Sequence, residues 1–141
     1  MDYVKQQKSA IEMAIIIIIL AIMFFVFYCL NLNNGMRRIL QESKNTELAL
    51  RLLAYDYYCR DQQIYDPLTP DGLAEGTAER IREMSGAEGT LILGSWDAAR
   101  QAARSFTYIS GKFVVIYNYD EAEESRWKLC YQFREAAKPE W

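Results

Sequence analysis

The sequence predicts an α+β fold in which a long N-terminal helix packs on a small antiparallel sheet of about 3–4 strands. Residues 36–61 contain no Gly or Pro, and their apolar side chains recur at helical intervals. From Phe106 onward apolar side chains instead alternate with a period of two, which is typical of strands. Because the amphipathic helix and the strands each present one apolar face, we expect these faces to cover each other.

The N-terminal part of the helix is apolar on every side. Residues 13–30 carry no charge and include the five consecutive isoleucines 15–19. At about 1.5 Å per residue such a stretch covers roughly 27 Å, close to the ~30 Å hydrocarbon core of a bilayer. We therefore predict a membrane-spanning or filament-core helix over residues 8–32, preceded by a short basic leader, 1–7, and followed by a globular α+β head, 36–141.

Glu12 is a single carboxylate about one turn inside the apolar zone. A charged side chain near hydrocarbon is costly and usually has a partner and a function. Two interpretations remain open at this point. Glu12 marks the membrane surface and reaches the lipid headgroups, or a positive charge on another subunit neutralises it.

The residues around Glu12 also resemble a known family. The K-S-A-I-E sequence of residues 8–12, directly before the apolar helix, resembles the N-terminus of archaeal type IV pilin-like proteins with a class III signal peptide. The family carries Gly before the cleavage point and Gln after it, where this chain has Gln7 and Lys8. Cleavage between Gln7 and Lys8 makes Glu12 the fifth mature residue, as is usual in the family. Cleavage between Gln6 and Gln7 makes it the sixth.

The resemblance implies a pilin-like fold and a structural role in a cell-surface filament. Its partners would be other copies or related pilin-like subunits, a prepilin-type peptidase, and an assembly ATPase with its membrane platform. We expect Glu12 to pair with the new N-terminal amine of a neighbouring subunit or with Lys8. The alternative is a single-pass membrane-anchored protein that keeps its leader and binds a partner through its head.

The positive charges flanking the apolar segment favour neither orientation strongly. Lys5, Lys8 and the amino terminus lie on one side, and Arg37, Arg38 and Lys44 lie on the other. By the positive-inside rule this distribution leans slightly against an external head. The leader-like motif favours the opposite orientation, so we predict an extracellular head.

Composition argues against several classes of function. The net charge is −3 and is carried by the head, because the charges in residues 1–30 cancel. An acidic head does not suit nucleic-acid binding. The chain has no histidine, the commonest general base and metal ligand, and no Gly-rich phosphate loop. We predict no enzymatic activity, no cofactor and no metal site, and we interpret the acidic residues 121–124 as a solvated hairpin tip.

The head is predicted to contain further helices and strands in a fixed order. The first helix extends to about residue 62, kinked or loosened near Gly35, the alternative being two helices joined by a turn. A second helix, 70–85, begins with Thr69 as its N-cap and ends at Gly86. Additional elements are a strand at 90–93, a short Ala-rich helix at 96–104, and strands at 106–109, 112–119 and 126–133.

Two cysteines of the head are candidates for a disulfide. Cys59 lies at the end of the first helix and Cys130 lies in the last strand, so a Cys59–Cys130 bond would tie the helix to the sheet. In an extracellular head such a bond would add a few kcal/mol of stability. Cys130 is predicted on the strand face opposite the helix, which favours the alternative of two reduced thiols.

Overall fold

The computed structural model describes residues 2–120 and 124–132, and its side chains are described except at residues 2–6, 9, 120, 124 and 125. The described chain forms an α+β fold, as predicted, and its contacts divide it into two units, Met1–Gly35 and Met36–Trp141. The elements in chain order are α1 (Asp2–Cys59), α2 (Thr77–Ser85), β1 (Thr90–Asp97), β2 (Ala102–Ser110), β3 (Phe113–Asp120) and β4 (Glu124–Tyr131). The four strands form one antiparallel sheet in the order β1-β2-β3-β4.

Helix α1 runs through the polar segment that follows the apolar stretch. Asn33, Asn34 and Gly35 are all helical, so the alternative of two helices joined by a turn is wrong. The helix ends at Cys59, three residues before the predicted end. Asp61 follows with a positive φ of 61°, a conformation that a helix cannot continue.

One face of α1 builds the core of the head together with the sheet. Its buried residues follow helical spacing, with two adjacent pairs, and are Ile39, Ser43, Thr46, Ala49, Leu50, Leu53 and Ala54. The sheet contributes the interior side chains of β1, β2 and β3, namely Leu91, Leu93, Ala103, Phe106, Tyr108, Val115 and Tyr117. This arrangement confirms the prediction that the amphipathic half of the helix packs on the strands.

Aromatic side chains line the margins of the core. Trp127 and Leu129 of β4 pack against the core and are half-buried, as expected for an edge strand. Tyr131 packs edge-to-face on Phe113, with the ring centroids 5.3 Å apart. Tyr57 is half-buried, and its hydroxyl lies 3.1 Å from the hydroxyl of Thr77 in α2. Phe133 and the acidic residues 121–123 lie outside the described residues.

The predicted Ala-rich helix over residues 96–104 is wrong, because a β-hairpin occupies this region. Trp96 and Asp97 pair with Ala103 and Ala102, so β1 and β2 are joined by a short turn. An Asp97 carboxylate oxygen accepts hydrogen bonds from the backbone N–H groups of residues 99 and 100, at 3.1 and 3.2 Å. This side-chain capping of a turn, together with the strand ladder, outweighs the helix propensity of the alanines.

The second helix is shorter than predicted, because residues 65–76 form a loop that is bonded to β1 at Asp71. Tyr65 and Leu73 form a β-bridge, and the backbone N–H of Leu93 in β1 donates to the carbonyl of Asp71 over 2.7 Å. Gly72 has a φ of 69°, and a Cβ at this position would overlap the Leu93 carbonyl oxygen. Such a close approach requires glycine.

The ends of α2 are set by two glycines. Thr69 does not cap the helix, since its hydroxyl lies 2.8 and 2.9 Å from the carbonyl oxygens of Asp66 and Leu73. Gly76 takes the N-cap position instead. The predicted end at Gly86 is confirmed, and this residue adopts the left-handed conformation with its N–H 2.9 Å from the Arg82 carbonyl.

A buried tyrosine links α1 to the sheet by hydrogen bonds. The Tyr108 side chain is fully buried in β2, and its hydroxyl donates to Glu42 over 3.1 Å and accepts from the Gly89 N–H over 2.9 Å. The second carboxylate oxygen of Glu42 accepts from Arg38 over 2.9 Å. Burial raises the pKa of Tyr108 to about 12, and the negative charge of Glu42 adds to this effect while the Gly89 N–H opposes it.

Two neighbouring leucines of α1 provide a matched test of the core. Leu53 is 1% exposed and Leu52 is 53% exposed. We expect Leu53→Ala to lower the free energy of unfolding by about 2–5 kcal/mol, because it removes buried methyl groups and leaves a cavity. Leu52→Ala should change it by less than about 0.5 kcal/mol. Denaturant unfolding of the full chain in detergent, followed by tryptophan fluorescence, measures both; a loss below about 0.5 kcal/mol for Leu53→Ala would contradict this packing.

The raised pKa of Tyr108 predicts a loss of stability at alkaline pH. An unfolded tyrosine ionises near pH 10, whereas buried Tyr108 keeps its proton up to about pH 12. Its contribution is therefore complete below pH 10 and is lost as the pH rises through 12, by about 3 kcal/mol for two pKa units. Tyr108→Phe should lower the stability at pH 7 by about 1 kcal/mol and remove this part of the alkaline loss.

Urea unfolding between pH 8 and 12 tests the prediction for Tyr108. Tyr58→Phe is the matched control, because the Tyr58 ring is 65% exposed and the same atom is removed. If the free energy of unfolding falls equally at alkaline pH in the wild type and in Tyr108→Phe, groups other than Tyr108 cause the loss of stability.

Candidate functional site

The apolar segment of α1 exposes its side chains in every direction. Large apolar side chains of residues 11–30 are between 49% exposed, at Tyr28, and 77% exposed, at Phe24. The consecutive residues 15–20 are all among them, and six residues cover more than one full helical turn. A helix that is apolar all round requires apolar surroundings on all sides, from lipid or from other helices.

The same segment is a candidate membrane span. The described part of α1 from Ala10 to Cys59 contains a window that is long and apolar enough to cross a bilayer, and no part of that window is buried. The helical state of an isoleucine-rich segment fits such surroundings. In an apolar medium every backbone N–H and C=O needs an internal partner, which a helix provides.

Glu12 places an ionisable carboxylate next to the uncharged residues of this segment. Its side chain is exposed, and the flanking Ile11 and Met13 are 55% and 59% exposed. In the described part of the chain Glu12 forms no ion pair. Its carboxylate lies at the start of the apolar surface, where a positively charged partner would offset its desolvation.

Lys8 is the nearest described cation by helical spacing. It lies four residues before Glu12, on the same helix face, and is exposed. A lysine N-terminal to a glutamate is the less favourable order for a pair within one helix. The structure brings the two residues to one face without an ion pair between them. Gln7, on the other side of the predicted cleavage point, is also helical and exposed.

The two cysteines predicted as candidates for a disulfide are Cys59 and Cys130, and both are free in the structure. Cys59 is exposed at the C-terminal end of α1, and Cys130 is half-buried in β4. Cys130 pairs with Val114, while the neighbouring Leu129 pairs with Val115 of the core. Cys130 thus lies on the sheet face away from α1, as expected from the strand alternation. Cys59 and Cys130 are not joined to each other in the structure.

The head also contains a cleft that the sequence did not predict. It has a volume of about 440 Å³, and α1, β3 and the β1–β2 hairpin line it. Its charged and aromatic lining residues are Arg51, Tyr55, Asp97, Arg100, Arg104, Tyr117 and Tyr119. These residues belong to three separate parts of the chain, so no linear motif indicates the cleft. Among the residues that the structure describes, no cluster of acidic or cysteine side chains could hold a metal ion.

Comparison with other proteins does not place this chain in a family. No protein-family model, curated protein or solved structure matches it. Two features of the molecule itself bear on its function, the apolar segment with Glu12 and the surface of the head.

Proposed function

We propose that this protein is a structural subunit of a type IV pilus-like surface filament. Its apolar N-terminal helices would pack together in the filament core, and the heads would form the outer surface. The observation that carries the proposal is a helix exposed and apolar on all sides, with the single carboxylate of Glu12 about one turn inside it. The predicted class III leader supports the same function.

Glu12 favours a filament over a simple anchor. Lipid alone would satisfy the apolar side chains, because hydrocarbon surrounds a single helix on all sides. It would not satisfy a carboxylate, which needs a positive charge or water. Cleavage next to Lys8 creates an N-terminal amine at the same end of each helix. The amine of one subunit can then neutralise Glu12 of a neighbour, and this contact would fix the axial register of the subunits.

The alternative is a single-pass membrane-anchored protein whose head binds a partner. Arg37 and Arg38 favour it, because both are exposed just beyond the apolar segment on the side of the head. Positive residues at this place favour a cytoplasmic head under the positive-inside rule. Such a protein would keep its leader, and Glu12 would lie at the membrane surface or contact a different partner.

The state of the mature N-terminus separates the two functions. We expect N-terminal sequencing of the protein purified from its native membrane to give a chain that begins at Lys8 or Gln7. Removal of the leader is required to create the amine that pairs with Glu12. A mature chain that still begins at Met1 would overturn the filament proposal and favour the membrane anchor.

Substitution of Glu12 tests the pairing directly. Glu12→Ala should leave the head folded and the helix in the membrane, since it removes a charge from an apolar segment. Filaments should be lost or reduced at least about tenfold, because the neighbouring amine would be left unpaired in a dry site. Electron microscopy and cell fractionation measure these outcomes.

Two control variants separate charge from shape at this position. Glu12→Gln keeps the size of the side chain without its charge and should fail like Glu12→Ala. Met13→Ala truncates the adjacent exposed side chain without changing charge and should still assemble. Normal filaments from Glu12→Ala would refute the pairing. Equal failure of Met13→Ala would mean that packing, and not charge, is what assembly requires here.

A further inference from the structure

Within the head, helix α1 has an exposed apolar face on the side opposite its buried one. Leu48, Leu52 and Tyr55 are 54%, 53% and 53% exposed, although all three are large and apolar. Exposed Asn45 precedes this row, and exposed Cys59 continues it to the end of the helix. At 3.6 residues per turn these five residues lie within roughly a quarter of the helix circumference. We call them the outer stripe.

The outer stripe has the spacing of a contact between two helices. Steps of three and four residues alternate along it, which is the a/d pattern of a coiled coil. Asn45, Leu52 and Cys59 take the a positions, and Leu48 and Tyr55 take the d positions. Side chains at this spacing interlock with those of one facing helix, whereas lipid or a sheet imposes no such period. A second helix is therefore the surface that fits the outer stripe.

We propose that the outer stripe pairs with the outer stripe of a second copy of this chain, with the two helices parallel and in register. Every copy brings the same face, so two copies complete each other about a two-fold axis, the commonest symmetry of homo-oligomers. The candidate membrane span also favours this partner. Copies inserted in one membrane carry their heads on the same side, which makes the parallel direction the natural one.

Asn45 supports an identical partner and a single register. An asparagine at one a position specifies the register and oligomeric state of a coiled coil. The Asn45 Oδ1 accepts from the Gln41 amide over 3.1 Å, and its second lone pair can accept from the Asn45 amide of another copy. The two asparagines meet only in the in-register pair. A slipped register would set each of them against an apolar side chain such as Leu48 or Leu52.

The charges beside the outer stripe permit a parallel pair without supplying its attraction. In such a pair each g position faces the e position of the next heptad of the partner. Arg51 is at g and Asp56 is at the following e, so like charges do not meet there. Both already form ion pairs within one copy, Arg51 with Glu47, and Asp56 with Arg60 and Arg80. Apolar contact therefore has to supply the attraction.

The size of the outer stripe predicts a pair that depends on the membrane. Half-exposed side chains of this kind offer roughly 80–100 Å² each, so five from each copy would bury about 800–1,000 Å² in total. Stable complexes of free proteins bury about 1,200–2,000 Å². Insertion in one membrane raises the effective concentration of the heads, which compensates for the small area. In dilute detergent the copies separate, and Leu52 is then exposed as in the single chain.

The test uses the full chain in lipid vesicles at low protein content, with Cys59 as the reporter. Cys29→Ser and Cys130→Ser remove the other two thiols. A short bifunctional maleimide, which adds one thiol at each end, should join the Cys59 residues of two copies. Dilution into excess detergent should lower the yield of crosslinked dimer at least about tenfold. The pairing requires membrane insertion but not leader cleavage, so it holds for a subunit before assembly and for an anchored protein alike.

Substitutions in this parent locate the contact. Leu52→Glu should lower the dimer yield in vesicles at least about tenfold, because it sets two carboxylates against each other in an apolar contact. Leu48→Glu carries the same expectation, should Leu52→Glu prove unfolded by tryptophan fluorescence. Met84→Glu is the matched control, because Met84 is 52% exposed on α2, outside the outer stripe. Its dimer yield should equal that of the parent.

Moving the thiol tests the parallel register. In the Cys59→Ser background, Leu48→Cys should crosslink, because equal positions of the stripe face each other along the whole contact. Met84→Cys in the same background should not crosslink, since α2 lies outside the contact. An antiparallel pair would separate the two Leu48 positions and prevent the first of these crosslinks.

Several outcomes would overturn the proposal. Absence of a Cys59 dimer in vesicles would do so, as would an equal yield from Met84→Cys, which would indicate random collision. Unchanged yields from folded Leu52→Glu and Leu48→Glu would place the contact elsewhere, for instance in the membrane segments. An equal loss in Met84→Glu would show that any added charge on the head prevents the crosslink.

Discussion

The burial of one face of α1 against the sheet is the interaction on which the head depends. Leu50 and Leu53 are almost completely buried, so this contact removes the apolar face of the helix from water. The hydrogen bonds between the helix and the rest of the head follow from this contact. Tyr108 reaches Glu42, and Tyr57 reaches Thr77, only because the helix lies where the core places it.

The same packing also positions the exposed residues of α1 that lie beside its buried face. Arg51 and Tyr55 lie outside the buried stripe and form one wall of the cleft. The β1–β2 turn and β3 supply the other walls, and each is positioned by the strand ladder. The helix and strands that line the cleft are thus the same ones that build the core. The cleft lies between the exposed residues of α1, the β1–β2 turn and β3.

The parts of the fold that could be predicted from sequence are those with a strong local period. The apolar segment, the amphipathic half of α1 and the alternating strands β3 and β4 each carry their pattern within one stretch of chain. The errors occurred where a tertiary contact outweighs local preference. Residues 70–76 look like a helix start, but the bond from Leu93 to the Asp71 carbonyl holds them in a loop. The alanines at 98–103 favour a helix, but the Asp97 turn and its ladder make a hairpin.

Of the candidate sites, only those with a local sequence signal could be predicted. Glu12 could be found from sequence, because a carboxylate in an apolar run is a local anomaly. The cleft could not, since its arginines and tyrosines meet only after the sheet has formed. The cysteines were placed on the correct elements, and the strand alternation gave the correct face for Cys130. Whether they can form a disulfide depends on the distance between α1 and β4. The spacing of apolar residues along the sequence does not give that distance.

The loop that lies along β1 has a consequence for how the protein behaves among its own copies. An outer strand of a sheet offers unpaired backbone groups to any other extended chain, and crowded proteins aggregate through such edges. Here the outward N–H of Leu93 is already bonded to Asp71, and Gly72 lets the two backbones approach closely. The sheet is thus closed to a foreign strand at this position. In the proposed filament, which would bring many copies together, the heads would not pair through this position of β1.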